Sequence, residues 1–228
     1  MITIVPLTGI PELRPGDDLA ALLGDALDGA GGLVEGDVVV VSQKVVSKAE
    51  GRVEQTDDHV EVILREARAV RRRREDLVIA ETEHGFVCAS AGVDRSNTPG
   101  EGWVVLLPRD SDASAASIRD ALGTQFGAAP AVIVTDSFGR AWRQGTTDVA
   151  IGVAGMRPLL DLRGERDVRG RPLEATVIAV ADELAGAAEL VMGKASGVPA
   201  ALVRGYAVPV GEGSARELIM PPERDLFP

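Results

Sequence analysis

Apolar residues in this chain fall into short alternating or continuous runs and longer runs that recur every three or four positions, and the two kinds take turns along its length. ITIVPL (2–7) alternates and is bounded by Thr8, Gly9 and Pro11, which predicts a short strand. Residues 14–18 supply a turn and an N-cap for a helix over LAALLGDAL, ended by the glycine-rich segment 29–32. DVVVVSQKVVSK (37–48) opens with four consecutive valines, the mark of a buried strand. In VEVILREARAVRRRRE (60–75), Val60, Ile63, Leu64, Ala67 and Val70 share one helical face, which predicts an amphipathic helix ending in the basic run 71–74. There the helix dipole favours cations.

LVIAET (77–82) and FVCASAGV (86–93) predict two strands joined hairpin-fashion across Glu83, His84 and Gly85. A loop over 92–102 leads to the strand WVVLLP, and ASAASIRDALGTQF predicts a helix capped by Ser111 or Asp112 before the strand AVIVTD (131–136). LEATVIAVADELAGAAELVMG (173–193) begins as a strand and turns helical at about Asp182, which serves as N-cap. AALVRGYAV is a last strand before a polar tail that contains GEGSARE, Pro221, Pro222 and Phe227. The pattern is mixed α and β, without repeats or a low-complexity linker. GxGxxG between strand and helix, GxxxxGK[ST], HExxH and GxSxG are all absent, so the fold is neither Rossmann nor P-loop.

Composition narrows the function classes. The 228 residues are 45% hydrophobic but only 3% aromatic, an ordinary globular make-up with a core of Val, Ala, Leu and Ile. A formal charge of -11 argues against a nonspecific nucleic-acid partner. The single cysteine, Cys88, excludes an intrachain disulfide and a cysteine-based zinc site, and reads as a small buried residue. No basic, apolar leader opens the chain and no apolar run reaches membrane-spanning length, so a cytoplasmic protein with no membrane partner is expected.

Polar clusters interrupt the strands. SQKVVSK (42–48) sets two lysines, two hydroxyls and an amide directly after the valine run, suited to oxyanions or to a solvated turn. AGVDRSN (91–97) places Asp94 and Asn97 on a loop, as oxygen ligands for a hard cation or as an Asx-turn. The densest cluster follows AVIV: the strand ends on Thr135, Asp136 and Ser137, and Arg140, Arg143, Gln144, Thr146, Thr147 and Asp148 come after. A carboxylate at a strand terminus can hold Mg²⁺ or Mn²⁺ against phosphate oxygens, and an arginine pair can neutralise charge on a transferred group. Gly193 and Lys194 close the last helix, and GEGSARE reads as a loop able to approach phosphate.

In this order the clusters resemble the family of coenzyme F420-0:L-glutamate ligases, which add glutamate to a deazaflavin coenzyme precursor. The matching runs are GDVVVVSQKVVSKAEGR, HGFVCASAGVDRSN, TDSFGRAWRQGTTDVAIGVAG, DLRGERDVRGR, ADELAGAAELVMGKASGVP and GSARELIMPPERDLF, which together cover nearly the whole chain. The resemblance implies GTP as co-substrate and two divalent cations, Mg²⁺ or Mn²⁺, phosphorylation of the F420-0 carboxylate, and attack of L-glutamate on the acyl phosphate. It implies that Asp94 and Asp136 hold one metal and Ser137 or its backbone the second. Ile10, Pro11, Glu12 and Leu13 would contact GTP near its base or ribose; Gln43, Lys48 and Asn97 would reach the nucleotide, with Ser42 beside them, and Gly193 and Lys194 are further nucleotide candidates. Arg140 and Arg143 are added on physical grounds, to bind the acyl phosphate or the incoming carboxylates. The fold it implies is α+β, mixed sheets with flanking helices in two intertwined subdomains of a single domain over 1–228, assembled as a homodimer. The flavin-reductase-like domain that follows in some bacterial relatives is not expected here. A metal-dependent phosphotransferase or phosphatase on another metabolite, or a GTP-binding sensor, are the rival readings.

Overall fold

A computed structural model describes residues 1–226; Phe227 of the predicted tail lies outside the described residues. In chain order the elements are β1 (Thr3–Leu7), α1 (Leu19–Gly29), β2 (Val38–Ser42), α2 (Gln43–Ala49), β3 (Val53–Gln55), α3 (His59–Glu66), β4 (Ala67–Arg74), β5 (Leu77–Thr82) and β6 (Val87–Ala89). They continue with β7 (Trp103–Val105), α4 (Ser111–Phe126), β8 (Ala131–Arg140), β9 (Arg143–Ala154), β10 (Leu160–Asp161), β11 (Val177–Ile178), α5 (Val180–Met192) and β12 (Ala200–Arg204). The fold is α+β: several separate sheets with flanking helices, none closed into a barrel.

The valine run explains the main layer. β2 lies inside a five-stranded sheet of order β1-β12-β2-β8-β9, antiparallel to β12 and parallel to β8. Successive side chains of a strand point to opposite faces. Val39 and Val41 therefore join one apolar cluster with Leu23 and Leu27 of α1 and Ala115, Ile118 and Leu122 of α4, whereas Val38 and Val40 join another with Ala181, Leu184, Ala185 and Ala188 of α5. A strand covered on both faces has no use for polar alternation, which is why its sequence has none. A smaller body inserted between α2 and α4 contains β3 paired with β7, the sheet β4-β5-β6, and α3, around Val62, Ile63, Val78, Ala80, Val93 and Val104. Among the described residues no helix is long and apolar enough to cross a membrane.

Several local expectations are corrected. The basic run is not a helix end: α3 stops at Glu66, and residues 67–74 form an edge strand paired with β5. Glu66 is held there by Arg52 at 2.7 Å, and Arg71 reaches Glu81 on the neighbouring strand at 2.6 Å, so tertiary pairing overrides the helical spacing of the apolar residues. SQKVVSK is not a turn: Ser42 ends β2 and is the N-cap of α2, and residues 43–48 are helical. Helix α4 is capped by Asp110, not Ser111 or Asp112. Asp112 instead accepts from the backbone of Val153 and Ala215 and from the Ser214 hydroxyl. It thus ties the GEGSARE segment, itself closed by a Ser214–Glu217 capping box, onto the sheet. Gly152 permits this approach, since a Cβ there would lie 2.2 Å from the Ser111 carbonyl oxygen. Helix α5 begins at Val180, and Asp182 is inside its first turn, not at the cap.

The entrance to β2 is secured by charge. Asp37 is 1% exposed and takes the guanidinium fork of Arg204, Nε to Oδ1 at 2.8 Å and Nη2 to Oδ2 at 2.6 Å. Val34 N–H also donates to Asp37, and Arg204 donates to the Gly32 carbonyl. Every strong acceptor of the buried carboxylate is therefore occupied, and removing the cation leaves it uncompensated. Arg204→Met is expected to cost about 3 kcal/mol, the low end for breaking a buried pair because the arginine is partly exposed. The corresponding fall in melting temperature is roughly 6–12 °C, and a thermal melt within 2 °C of wild type would contradict this account of the pair.

Candidate active site

The site begins where β8 outruns its neighbour. The parallel ladder between β2 and β8 ends at Ser42 opposite Thr135, where the chain of β2 turns into α2. β8 does not end on Asp136 and Ser137 as the sequence suggested; it runs on to Arg140, paired with β9 as a two-stranded arm. Asp136 and Ser137 are thus the first residues beyond the shared sheet, at the carboxyl end of a parallel strand pair, the position at which open sheets bind ligands. Being consecutive, they point to opposite faces.

On one face Ser137 pairs across the arm with Asp148, and its hydroxyl donates to Asp148 Oδ1. Asp148 is buried, and Lys194 Nζ lies 3.2 Å from the same oxygen. The register between β8 and β9 shifts between Val134 and Thr135, leaving Ile151 as an extra residue. The freed N–H of Ala150 donates to Asp182 Oδ1 at 2.9 Å, and burial raises the pKa of that carboxyl. Asp182 thereby anchors the bulge two residues from Asp148.

On the other side stand α2 and the loop after β6. Ser42 Oγ accepts from Lys44 N–H, starting a helix in which Lys44 and Lys48 fall one turn apart on the same face. Lys44 Nζ meets Asp94 Oδ2 at 2.7 Å, and Lys48 pairs with Glu12. Asp94 also accepts from Ser96 N–H at 2.6 Å, the Asx-turn foreseen from its sequence. Burial works to raise the Asp94 pKa, but the Lys44 and Ser96 contacts outweigh it and hold that carboxyl below its ordinary value. Asp136 behaves oppositely. Burial pushes it up to about 6, against the Ser137 backbone and the Lys44 and Lys194 charges, with Asp94 adding to the rise.

A cleft of about 380 Å³ joins these elements, within the range of small-molecule sites, roughly 300–1,000 Å³. Ile10, Pro11, Glu12, Ser42, Lys48, Asn97, Gly193 and Lys194 line it, with Lys44, Asp148 and Glu189. Asn97 Nδ2 reaches the Lys194 carbonyl at 3.5 Å, linking the two loops at the cleft mouth. Leu13 is buried in the apolar core, and Gln43 is buried with its Oε1 accepting from Ser47 Oγ at 2.9 Å, so neither side chain lines the cleft. Arg140 and Arg143 face each other at the end of the arm, both exposed and outside the cleft lining. Among the described residues no three His, Cys, Asp or Glu side chains converge as a metal cage. Cys88 is no nucleophile: burial raises its thiol to about 12, with the Asp136 charge adding to the effect.

Three polar cleft residues, Lys44, Asp148 and Glu189, carry no assigned role in the sequence reading. Lys44 was recoverable from its i, i+4 relation to Lys48 once the segment is read as a helix, and Asp148 from its pairing with Ser137 once β8 and β9 are read as one hairpin.

The Asp136 environment has a consequence for stability. Its carboxyl ionises near the ordinary carboxylate value when unfolded and near 6 when folded, so the folded state holds the proton more tightly between those limits. Stability from this group falls as pH rises through that window and stays low above it. With metal chelated, Asp136→Asn is expected to be more stable than wild type at pH 8 by up to roughly 3 kcal/mol, with the gain vanishing near pH 4. Denaturant unfolding at both pH values measures it, and an equal gain at both would refute burial as the cause.

The F420-0:Gamma-glutamyl ligase family model matches residues 9–205. The chain is 43% identical to the coenzyme F420:L-glutamate ligase of Methanothermobacter thermautotrophicus over 251 aligned positions, spanning 99% of this chain and 98% of the relative. It is 42% identical to that of Methanopyrus kandleri, spanning 99% and 97%, and 40% identical to that of Methanocaldococcus jannaschii, spanning 85% of each. With the match extending from the cleft-lining segment at Ile10 to the end of β12, the chain belongs to the F420-0:gamma-glutamyl ligase family.

Proposed function

We propose that this chain joins L-glutamate to the carboxylate of coenzyme F420-0 at the expense of GTP. The observation that supports the reading best is a cleft lined by three lysines, Lys44, Lys48 and Lys194, in a member of this family; Lys44 and Lys194 pair with the neighbouring carboxylates Asp94 and Asp148 and stand near the strand-end Asp136. Lysines bind the phosphates as point charges, and the apolar Ile10 and Pro11 offer a surface for the base. An acceptor carboxylate oxygen attacks the γ-phosphorus and GDP leaves. The glutamate amine then attacks the acyl carbon, inorganic phosphate leaves, and the amine proton passes to solvent. Two anionic reactants must approach a polyphosphate, so screening by fixed cations is the main demand on the protein. Arg140 and Arg143 stay candidates for the acceptor or glutamate carboxylates.

The donor set fits a hard cation. Asp94 and Asp136 would hold Mg²⁺ or Mn²⁺ with Ser137 adjacent, and two carboxylates plus nucleotide phosphates and water are the usual complement for such an ion. Bound there, the ion neutralises charge on the transferred phosphoryl group. The proposal extends to a cytoplasmic homodimer.

The test is GDP release with GTP and Mn²⁺ or Mg²⁺, with and without F420-0 and L-glutamate, the acceptor being followed by mass spectrometry. Glutamyl addition only with all components, abolished in Asp136→Ala, is the expected result. Lys48→Ala should raise the KM for GTP roughly 10- to 100-fold, the worth of a charged hydrogen bond. GDP release indifferent to acceptor and glutamate would replace the ligase with another phosphotransfer reaction, and GTP binding without turnover would replace it with a sensor.

A further inference from the structure

We infer that Glu189 is a catalytic residue of the second step, the carboxylate that receives the incoming L-glutamate amine and takes up a proton as the amide forms. The inference rests on the ligase reading above and gives a role to a cleft residue that the reading leaves unused.

Among the described residues three carboxylates line the cleft: Glu12, Asp148 and Glu189. Glu12 is closed on Lys48, and Asp148 is shared between the Ser137 hydroxyl and Lys194, 3.2 Å away. Asp94 and Asp136, beyond the lining, are the pair reserved for a metal ion. Only the Glu189 carboxylate has no hydrogen bond or ion pair among the described residues. With each other lining acid closed on a lysine, one acid is left for a cation that a substrate brings. Of GTP, the acceptor carboxylate and L-glutamate, only the amino acid carries one.

Helix α5 fixes where that acid stands. Asp182, in its first turn, accepts from Ala150 N–H at 2.9 Å. One turn on, Gly186 lies so close to the arm that a Cβ there would meet Thr147 Oγ1 at 3.4 Å and the Asp148 carbonyl oxygen at 3.7 Å. Glu189 follows three positions later on that face. Ala185, Ala188 and Met192 are buried and hold the helix against the sheet, which keeps Glu189 half-buried in the cleft wall that also carries Asp148 and Lys194.

L-Glutamate arrives as an ammonium and ends with one N–H in an amide, so two protons must leave. Glu189 holds the ammonium by a charge-assisted hydrogen bond, and the first proton passes to solvent as the free amine forms. The nitrogen lone pair then attacks the acyl carbon. The carbon–oxygen bond to phosphate breaks with its electrons leaving on inorganic phosphate, and the second proton passes to a Glu189 oxygen and on to solvent.

Hydroxylamine separates this step from the first, because it attacks an acyl phosphate as a neutral amine and leaves a hydroxamate. The protein is given GTP, Mg²⁺ and F420-0 with either hydroxylamine or L-glutamate, and acceptor hydroxamate and glutamyl product are followed by mass spectrometry. Glu189→Gln should form hydroxamate at the wild-type rate and lose roughly 100-fold or more in glutamyl addition. Loss of both would place Glu189 in nucleotide binding or phosphoryl transfer, and loss of neither would make it a spectator; either result overturns the inference while leaving the ligase reading intact. No hydroxamate from wild type would overturn the acyl phosphate reading and this inference together.

Discussion

The parallel pairing of β2 with β8, and the point at which it stops, is the constraint on which the rest depends. Both strands are buried within a sheet covered by helices on both faces, and their backbone groups are satisfied only by staying in register from Val38 opposite Ala131 to Ser42 opposite Thr135. When β2 turns into α2, β8 loses one neighbour and keeps the other. The polar residues appear at that step because it is where strand side chains first meet solvent. The α2 lysines that line the cleft and the Asp136–Ser137 pair beside it are positioned by that one change of partners.

Two acidic groups show how differently the fold treats structure and chemistry. Asp37 is closed off, with a bidentate arginine and a backbone donor, and so holds the sheet entrance. Asp136 is half-buried, with the Ser137 backbone as a donor but no paired cation of its own, and burial raises its pKa to about 6. The unmet charge lowers the stability of the metal-free chain. A carboxylate kept costly in this way at a strand end marks a candidate functional group.

Much of the fold was legible. The valine run, the β5–β6 pair and the Asp18 cap of α1 follow from local rules that the structure obeys. Residues 67–74 were not legible because an arginine run with helical apolar spacing is made a strand only by pairing with β5 and by the reach of Arg71 to Glu81. Asp110 accepts from Ala113 N–H and caps the helix, while Ser111 is buried against Gly152 inside the first turn and Asp112 is spent on the tail.

The sequence by itself determined the α+β class, the buried central strand and the family, because periodicity and long ordered motifs are local properties of the chain. It also marked the stretches from which the cleft is built. Only the tertiary structure decided which members of those stretches meet. Lys44 reaches Asp94 across 50 positions and Lys194 reaches Asp148 across 46, while Leu13 and Gln43, beside true lining residues, turn inward. Charge pairing across such separations depends on register, bulge and helix phase, and a shift of one residue in any of them reverses the face on which a side chain falls.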